Sequence, residues 1–441
     1  MPKLHLRKVN KWIPLFMALL FGLSIAGLTL FILVFQARAV DNASATLYVA
    51  PDGDDTKDCA SITNRCRTIQ RAIDMAVQGD TIKAAMGTYT DTDTAALGFL
   101  ASITKTITLK GGYEPNFVEP PYPSTNPTIL DAQGFGRVLA INNAGPTIDG
   151  FIITGGKGDF SGGGIKIENG SPIIKNNLIM GNDAAGDGGA IFASHGTVQI
   201  LNNQITNNTA TWAAGLRLIN DVNATVIGNI IQDNIAAISG GGIYLDCCSG
   251  PTSLIAQNRI IGNTTGNSGG GLLINAANAS VVNNILAQNQ AIQGDNIWLA
   301  GSVSFPISLT LVHNTLVGSL VDDQAIWIEQ QVEAKVVNNI LVEHSTGITN
   351  TAPLSNTLNI DHNLFLNLTD PITGSNPLVA DPLLDAGFHL LPGSPAIDAA
   401  LPSEIHSDID GQFRPLGSAP DLGADEFGLP NYLPIVIKNK D

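Results

Sequence analysis

The chain has 441 residues, 44% of them apolar but only 6% aromatic, with 46 glycines. Such a composition suits a thin core of stacked Ile, Leu and Val, and one elongated repeat body can use the whole length. The formal charge of -16 comes without any Lys/Arg stripe, which excludes a nucleic-acid partner.

Lys3, Arg7, Lys8 and Lys11 precede an apolar run from Trp12 to Phe35, and Ala37-Arg38-Ala39 offers a small-x-small cleavage pattern. The run is 24 residues, long enough to span a bilayer. Residues 1–39 are therefore a cleaved export signal or an uncleaved membrane anchor, and both readings stay open. Either way, the chain from about Val40 onward is expected outside the cell, at its surface or secreted. An anchor would be the only membrane contact.

Export permits a disulfide, and Cys59 and Cys66 share a loop-like stretch that such a staple would suit. Cys247-Cys248 is a vicinal pair in a turn, its state open. No His or Cys stands at zinc-ligand spacing from either pair, so no metal site is expected. The acidity leaves room for weak calcium binding, although no EF-hand-like spacing indicates it, and no other cofactor is implied.

Residues 45–130 open with Leu47-Tyr48-Val49 and continue through the cysteine loop. From Thr68, an N-cap, a helix follows that places Ile69, Ala72, Ile73 and Ala76 on one face, with Gly79 as its stop. Strands are expected at 81–85 and 106–110, each followed by a Gly turn. A Pro-rich insertion then runs to Pro127, before Thr128-Ile129-Leu130-Asp131.

Residues 131–370 repeat a two-part unit. One part is a small-residue turn with alternating apolar residues, such as Gly162-Gly163-Gly164-Ile165-Lys166-Ile167 and Gly240-Gly241-Gly242-Ile243-Tyr244-Leu245. The other is a polar residue and Asn followed by mostly apolar residues, and its Asn falls at 177, 203, 229, 258, 284, 314, 339 and 363. Period-2 alternation makes each piece a short strand, and one coil cannot bury its apolar face alone, so coils must stack. An Asn at one corner of every coil would form a ladder, because its side chain both donates and accepts and tolerates left-handed backbone. That ladder is expected at Asn177, Asn203, Asn229, Asn258, Asn284, Asn314, Asn339 and Asn363.

These units resemble the right-handed parallel β-helix repeat proteins, the group with the pectin-lyase-like fold, over about residues 45–427. The resemblance implies an all-β solenoid: an N-terminal helical cap and first coils over 45–130, further coils over 131–370, and a C-terminal cap over 371–427. A tail, 428–441, follows. Pro392-Gly393-Ser394-Pro395-Ala396-Ile397-Asp398, Asp408-Ile409-Asp410-Gly411-Gln412-Phe413-Arg414 and Asp421-Leu422-Gly423-Ala424-Asp425-Glu426 are similar to the end segment of bacterial surface β-helix proteins called choice-of-anchor Q proteins. That likeness implies a cap in which Arg414 pairs with Asp410, Asp421 or Glu426. The competing reading makes the same carboxylates a metal or catalytic site.

In β-helix polysaccharide enzymes the substrate lies along the outer face of the strand after the Gly turn. The corresponding positions are Lys166, Phe192, Arg217, Tyr244, Leu273, Trp298 and Trp327, a strip of cations and aromatic rings that suits a glycan. An outward strip covered by a loop or another protein is the plainer alternative. The next outward column runs Glu168, Ser194, Ile219, Asp246, Asn275, Ala300, Glu329, and its carboxylates Glu168 and Asp246 stand three coils apart, too far for paired acid–base work. Asp322-Asp323 is expected in a solvated turn, and His195 in a turn beside the strip. No catalytic residue is assigned. A surface protein that binds glycan or a surface partner is the leading expectation, with a polysaccharide lyase or glycoside hydrolase acting on an acidic polysaccharide as the alternative.

Overall fold

The computed structural model describes residues 44–90, 98–246, 252–319, 323–368 and 372–428. The export or anchor segment, Cys247-Cys248, Asp322 and nearly all of the tail lie outside these residues. Each coil holds up to four short strands. In one of them Ile165–Glu168 is followed by a turn, Ile173–Lys175, the Asn176-Asn177 corner, Leu178–Met180, a second corner, and Asp183–Asp187. Every strand then pairs in parallel with its copy in the neighbouring coil, as Ile165 with Leu139 on one side and Ile191 on the other. Among the described residues the strands make parallel sheets of 20, 12 and 5 strands, the largest comprising two faces joined through the long strands Ile191–Leu201 and Leu216–Ile227.

Alternation explains where the core sits. Ile165, Ile191, Leu216, Ile243, Leu272 and Ile297 stack in one fully buried column, and Ile167, Ala193, Leu218, Leu245, Ile274 and Leu299 in another. Burying each such Ile or Leu contributes about 1.5–3 kcal/mol. The coils therefore hold one another by area, and what fixes their rotation about the axis is polar.

The expected ladder is present. Asn203 Nδ2 donates to Ile174 O at 2.8 Å and to Asn229 Oδ1 at 3.0 Å, while its backbone N donates to the same Oδ1 at 2.8 Å. The pattern runs unbroken from Asn177 to Asn363, and every member is at most 2% exposed. One detail of the expectation needs correcting. The left-handed residue is the one before the ladder Asn, with φ of 55° at Asn176, 53° at Asn202 and 56° at His313. The two residues of each pair divide the work: the first, whether Asn, Gly, Gln or His, bends the backbone, and the second, a buried Asn, carries the hydrogen bonds.

A second ladder stands at the next corner. Asn182, Asn208, Asn234, Asn263 and Asn289 are linked by the same Nδ2-to-Oδ1 donation at 2.9–3.0 Å, all but fully buried. It ends as Asn289 donates to Asn296 Oδ1, and Asn296 Nδ2 meets His344 Nε2 at 3.2 Å.

The Gly turns owe their residue type to close stacking. A Cβ on Gly241 would lie 2.5 Å from Gly270 O and 2.9 Å from Thr264 N, both backbone atoms of the next coil. Gly241→Ala is therefore expected to cost about 2–3 kcal/mol, the upper range for overpacking. An unchanged urea-unfolding midpoint would refute that account of the turn.

At the N-terminal end Ile69–Met75 is helical, Thr68 accepts from Arg71 N, and Ile69, Ala72 and Ile73 are buried against the first strands. The helix ends at Met75, before the expected Gly79, because Ala76 is already extended with its N–H closing on Ala72 O. The strand expected at 106–110 runs Thr108–Tyr113, so Gly111 and Gly112 belong to it, with a register shift opposite. Cys59 and Cys66 form the expected disulfide and are fully buried.

The C-terminal segment lies along the flank of the stack. Leu390, Ala396, Ala400, Leu422 and Ala424 pack on Ile285, Val317, Ile340 and Leu364, the outward side chains of four successive coils. Asn338 Nδ2 donates to Leu401 O, Asn338 Oδ1 accepts from Leu401 N, and Asn283 Nδ2 donates to Ser407 O. This is why Ile285–Ala287, Thr315–Val317 and Ile340–Val342 are buried on both faces, whereas Leu178–Met180 is buried on one. Arg414 meets Glu426 among its expected partners, Nη1 to Oε2 at 3.3 Å.

Candidate functional site

Strand pairing puts the predicted strip in register throughout. Lys166 faces Phe192, then Arg217, Tyr244, Leu273, Trp298 and Trp327 follow coil by coil. Of the two expectations, an open strip and one covered by a loop, their exposure fits the covered one over the middle of the strip. Phe192, Tyr244 and Leu273 are 7%, 8% and 2% exposed. The cause is the Gly turn itself, which curls back over the strand it precedes. A Cβ on Gly240 would meet Tyr244 Cβ at 2.7 Å, and one on Gly269 would meet Leu273 Cβ at 2.6 Å. Lys166, Arg217, Trp298 and Trp327 remain half-buried.

The residue before each Gly turn forms a second column beside the strip: Ser161, Asp187, Trp212, Ser239 and Ser268 pair in that order. Sequence reasoning missed Asp187 and Trp212, although their place just ahead of the small-residue turn could have marked them. They meet the strip at Arg217. Its Nε lies 3.2 Å from Asp187 Oδ1, its Nη2 donates to Asp246 Oδ2 at 2.9 Å, and its guanidinium stacks 3.7 Å from the Tyr244 ring centroid. Asp246 Oδ1 also accepts from Asn275 at 3.1 Å.

This cluster borders an open cleft of about 380 Å³ lined by Phe160, Ala185, Gly186, Asp187, Thr211, Trp212, Arg217 and Tyr244. Phe160 at its rim is 71% exposed. Burial raises the Asp187 carboxyl above its ordinary value, Arg217 pulls it back, and Asp246 pushes it up again. Burial also raises the Tyr244 phenol.

Chemically, the two cations of the strip are already committed. Lys166 pairs with Glu168 at 2.9 Å, and Arg217 is held between two carboxylates. A guanidinium so held is rigid, with Nε and Nη1 buried and Nη2 donated to Asp246, and a second anion would find its charge already met. Glu168 pairs with Ser194 and not with Asp246, so those carboxylates are not brought together. His195 is exposed at a left-handed turn. Asp323 is buried and not solvated, since it accepts from Ser319 N and Ser345 N and lies 3.5 Å from His344, at the foot of the second ladder. Further down the strip, the indole Nε1 atoms of Trp298 and Trp327 are buried without a hydrogen-bond partner among the described residues.

The register and the ladders decide the architecture. The chain is a right-handed parallel β-helix. Its sequence matches the family model for the right-handed beta helix region over residues 125–286. Among solved structures it is similar to the pectate lyase Pel9A, at 17% identity over 87% of this chain and 97% of that chain, with a TM-score of 0.48. XylC, in its complex with xylose, is 12% identical over 86% of this chain and 98% of that chain, with a TM-score of 0.47. A PL6 family alginate lyase, AlyGC, is 13% identical over 80% of this chain and 56% of that chain, with a TM-score of 0.36. No curated protein matches the sequence.

Proposed function

We propose that this β-helix is exported and holds a glycan of the cell surface or surroundings in the cleft beside Arg217, without cleaving it. The observation that carries the reading is the arrangement at that cleft. A guanidinium fixed by Asp187, Asp246 and Tyr244 backs a cleft whose rim carries the rings of Phe160 and Trp212, with Asp187 and Thr211 as polar groups beside those apolar faces. Sugars are bound by that combination of ring faces and preset polar groups. The export part of the proposal rests on residues 1–39 alone.

One observation favours catalysis as the second reading. Asp187 is a half-buried carboxyl held above its ordinary value in the same cleft, as a general acid needs to be. A panel of neutral and acidic polysaccharides, assayed for retention and for cleavage, separates the two. Retention without cleavage is expected, weakened about twofold to tenfold by Trp212→Ala, since stacking on one ring is worth about 0.5–1.5 kcal/mol beyond its area, and weakened also by Arg217→Ala, which releases Asp187 and the Tyr244 ring. Cleavage that disappears in Asp187→Asn would establish the enzyme instead. Export is checked by sequencing the N-terminus of the chain recovered from the cell exterior.

A further inference from the structure

We infer that the C-terminal segment carries a site for one divalent transition-metal ion, held by His389, Asp410 and Asp425. Each brings a donor atom within 4.8 Å of the other two, around a pocket of about 380 Å³ also lined by Leu390, Gln412 and Phe427. The three come from three separate pieces of chain, so no local spacing in the sequence announces them.

The imidazole is placed by a carboxylate behind it. His389 Nδ1 lies 3.4 Å from Asp385 Oδ1, an oxygen that also accepts from the backbone N of Gly387 and of His389 itself. Metal-bound histidines are oriented by just such a carboxylate on the far ring nitrogen. The near nitrogen, Nε2, is buried and lies 3.1 Å from Asp410 Oδ2, yet that contact lacks hydrogen-bond geometry and Nε2 has no other partner among the described residues. Asp425 is 95% buried by residue, at 5% exposure, and its Oδ2 is occupied by Leu390 N at 2.7 Å. Asp410 sits at a hairpin tip that Asp408 fixes by accepting from Asp410 N and Gln412 N.

Two carboxylates and a neutral imidazole around a water-accessible pocket form a donor set for Zn²⁺ or Mn²⁺. A Ca²⁺ ion would prefer oxygen throughout. The ion would offset the crowding of acids here, where the buried Asp408 and Asp425 stand close to the exposed Asp410. It would also tie the turn bearing His389 to the strand-like run ending at Glu426, fastening the flanking segment in one more place.

The test uses the full chain, stripped of metal with a chelator and titrated with ZnCl₂ by calorimetry. One zinc per chain is expected, with affinity falling roughly tenfold to a hundredfold in Asp385→Asn, whose ligands remain, and more in His389→Gln and Asp425→Asn. Zinc binding of equal strength in all three variants, or none in the unaltered chain, overturns the site. Where a ligand variant loses its fold, Co²⁺ absorption of the unaltered chain decides. Visible bands of a nitrogen- and oxygen-ligated ion are expected, and the spectrum of the hydrated ion alone would refute the proposal.

Discussion

Asn229→Ala is expected to lower stability by about 3–5 kcal/mol, while Asn202→Gly stays within about 0.5 kcal/mol of the unaltered chain. The two side chains belong to the same corner on adjacent coils and look alike in sequence. Asn229 is fully buried; its Oδ1 accepts from Asn203 N at 2.8 Å and Asn203 Nδ2 at 3.0 Å. Its Nδ2 donates to Ile200 O at 2.8 Å and to Asn258 Oδ1 at 3.0 Å. Alanine leaves Asn203 N buried with no partner and takes one donor each from Ile200 O and Asn258 Oδ1, and a buried orphan alone costs about 1–3 kcal/mol before the lost packing is added. Asn202 is exposed and contributes a left-handed φ of 53°, which glycine adopts freely. Urea unfolding, with hydrogen exchange to locate the loss, measures both. In a solenoid the damage should centre on the coils that share the missing bonds and fade beyond their neighbours. Equal losses in the two variants would mean that the ladder is ornament and the apolar stack alone sets stability.

That contrast also shows what the chain discloses of itself. The first ladder was legible because Asn recurs in the same place before a pair of apolar residues. The strip register was legible because the Gly turns fix the phase of each strand, and this held as far as Trp327. The second ladder was not. The residues that follow it are Asp183, Thr209, Ile235, Thr264 and Gln290, mostly polar, so no Asn-apolar string repeats. Asp187 and Trp212 were hidden for a related reason. Their strands, Asp183–Asp187 and Thr209–Trp212, are too short and small-chained to show alternation, although they form a sheet. The covering of Tyr244 and Leu273 depends on which way a turn curls, which residue types alone do not state. Nor does sequence distinguish Asn176, on an uncovered corner, from Asn283 and Asn338, which bind the returning C-terminal segment.

That returning segment carries the other large effect, expected for Arg414→Met. The guanidinium is fully buried, with Nη1 3.3 Å from Glu426 Oε2 and donating to Asp421 O, and Nη2 donating to the carbonyls of Gly423 and Asp425. Breaking a buried pair by removing one member costs about 3–5 kcal/mol, because the charge left behind has lost its compensation. Here the charges left behind are carboxylates. Burial raises Asp421 and Glu426 above their ordinary values of 3.8 and 4.5, and Arg414 acts in the opposite sense on both. A carboxyl raised in the folded state favours folding at pH below its unfolded value and loses that contribution as pH rises through the folded value. Taking Arg414 away raises both groups further, so the penalty of Arg414→Met should be largest near pH 7 and shrink as pH falls towards 4. Because the segment lies along the flank, the loss should appear first as release of residues 381–428, read by limited proteolysis beside urea unfolding at the two pH values. A penalty of the same size at both would sink the ionic account and leave only the lost packing of the side chain. Glu426→Gln separates these further: it keeps the shape and removes a carboxylate whose folded value stands above its unfolded one, so it should be nearly silent in acid and slightly stabilising near pH 7, opposite in sign to Arg414→Met.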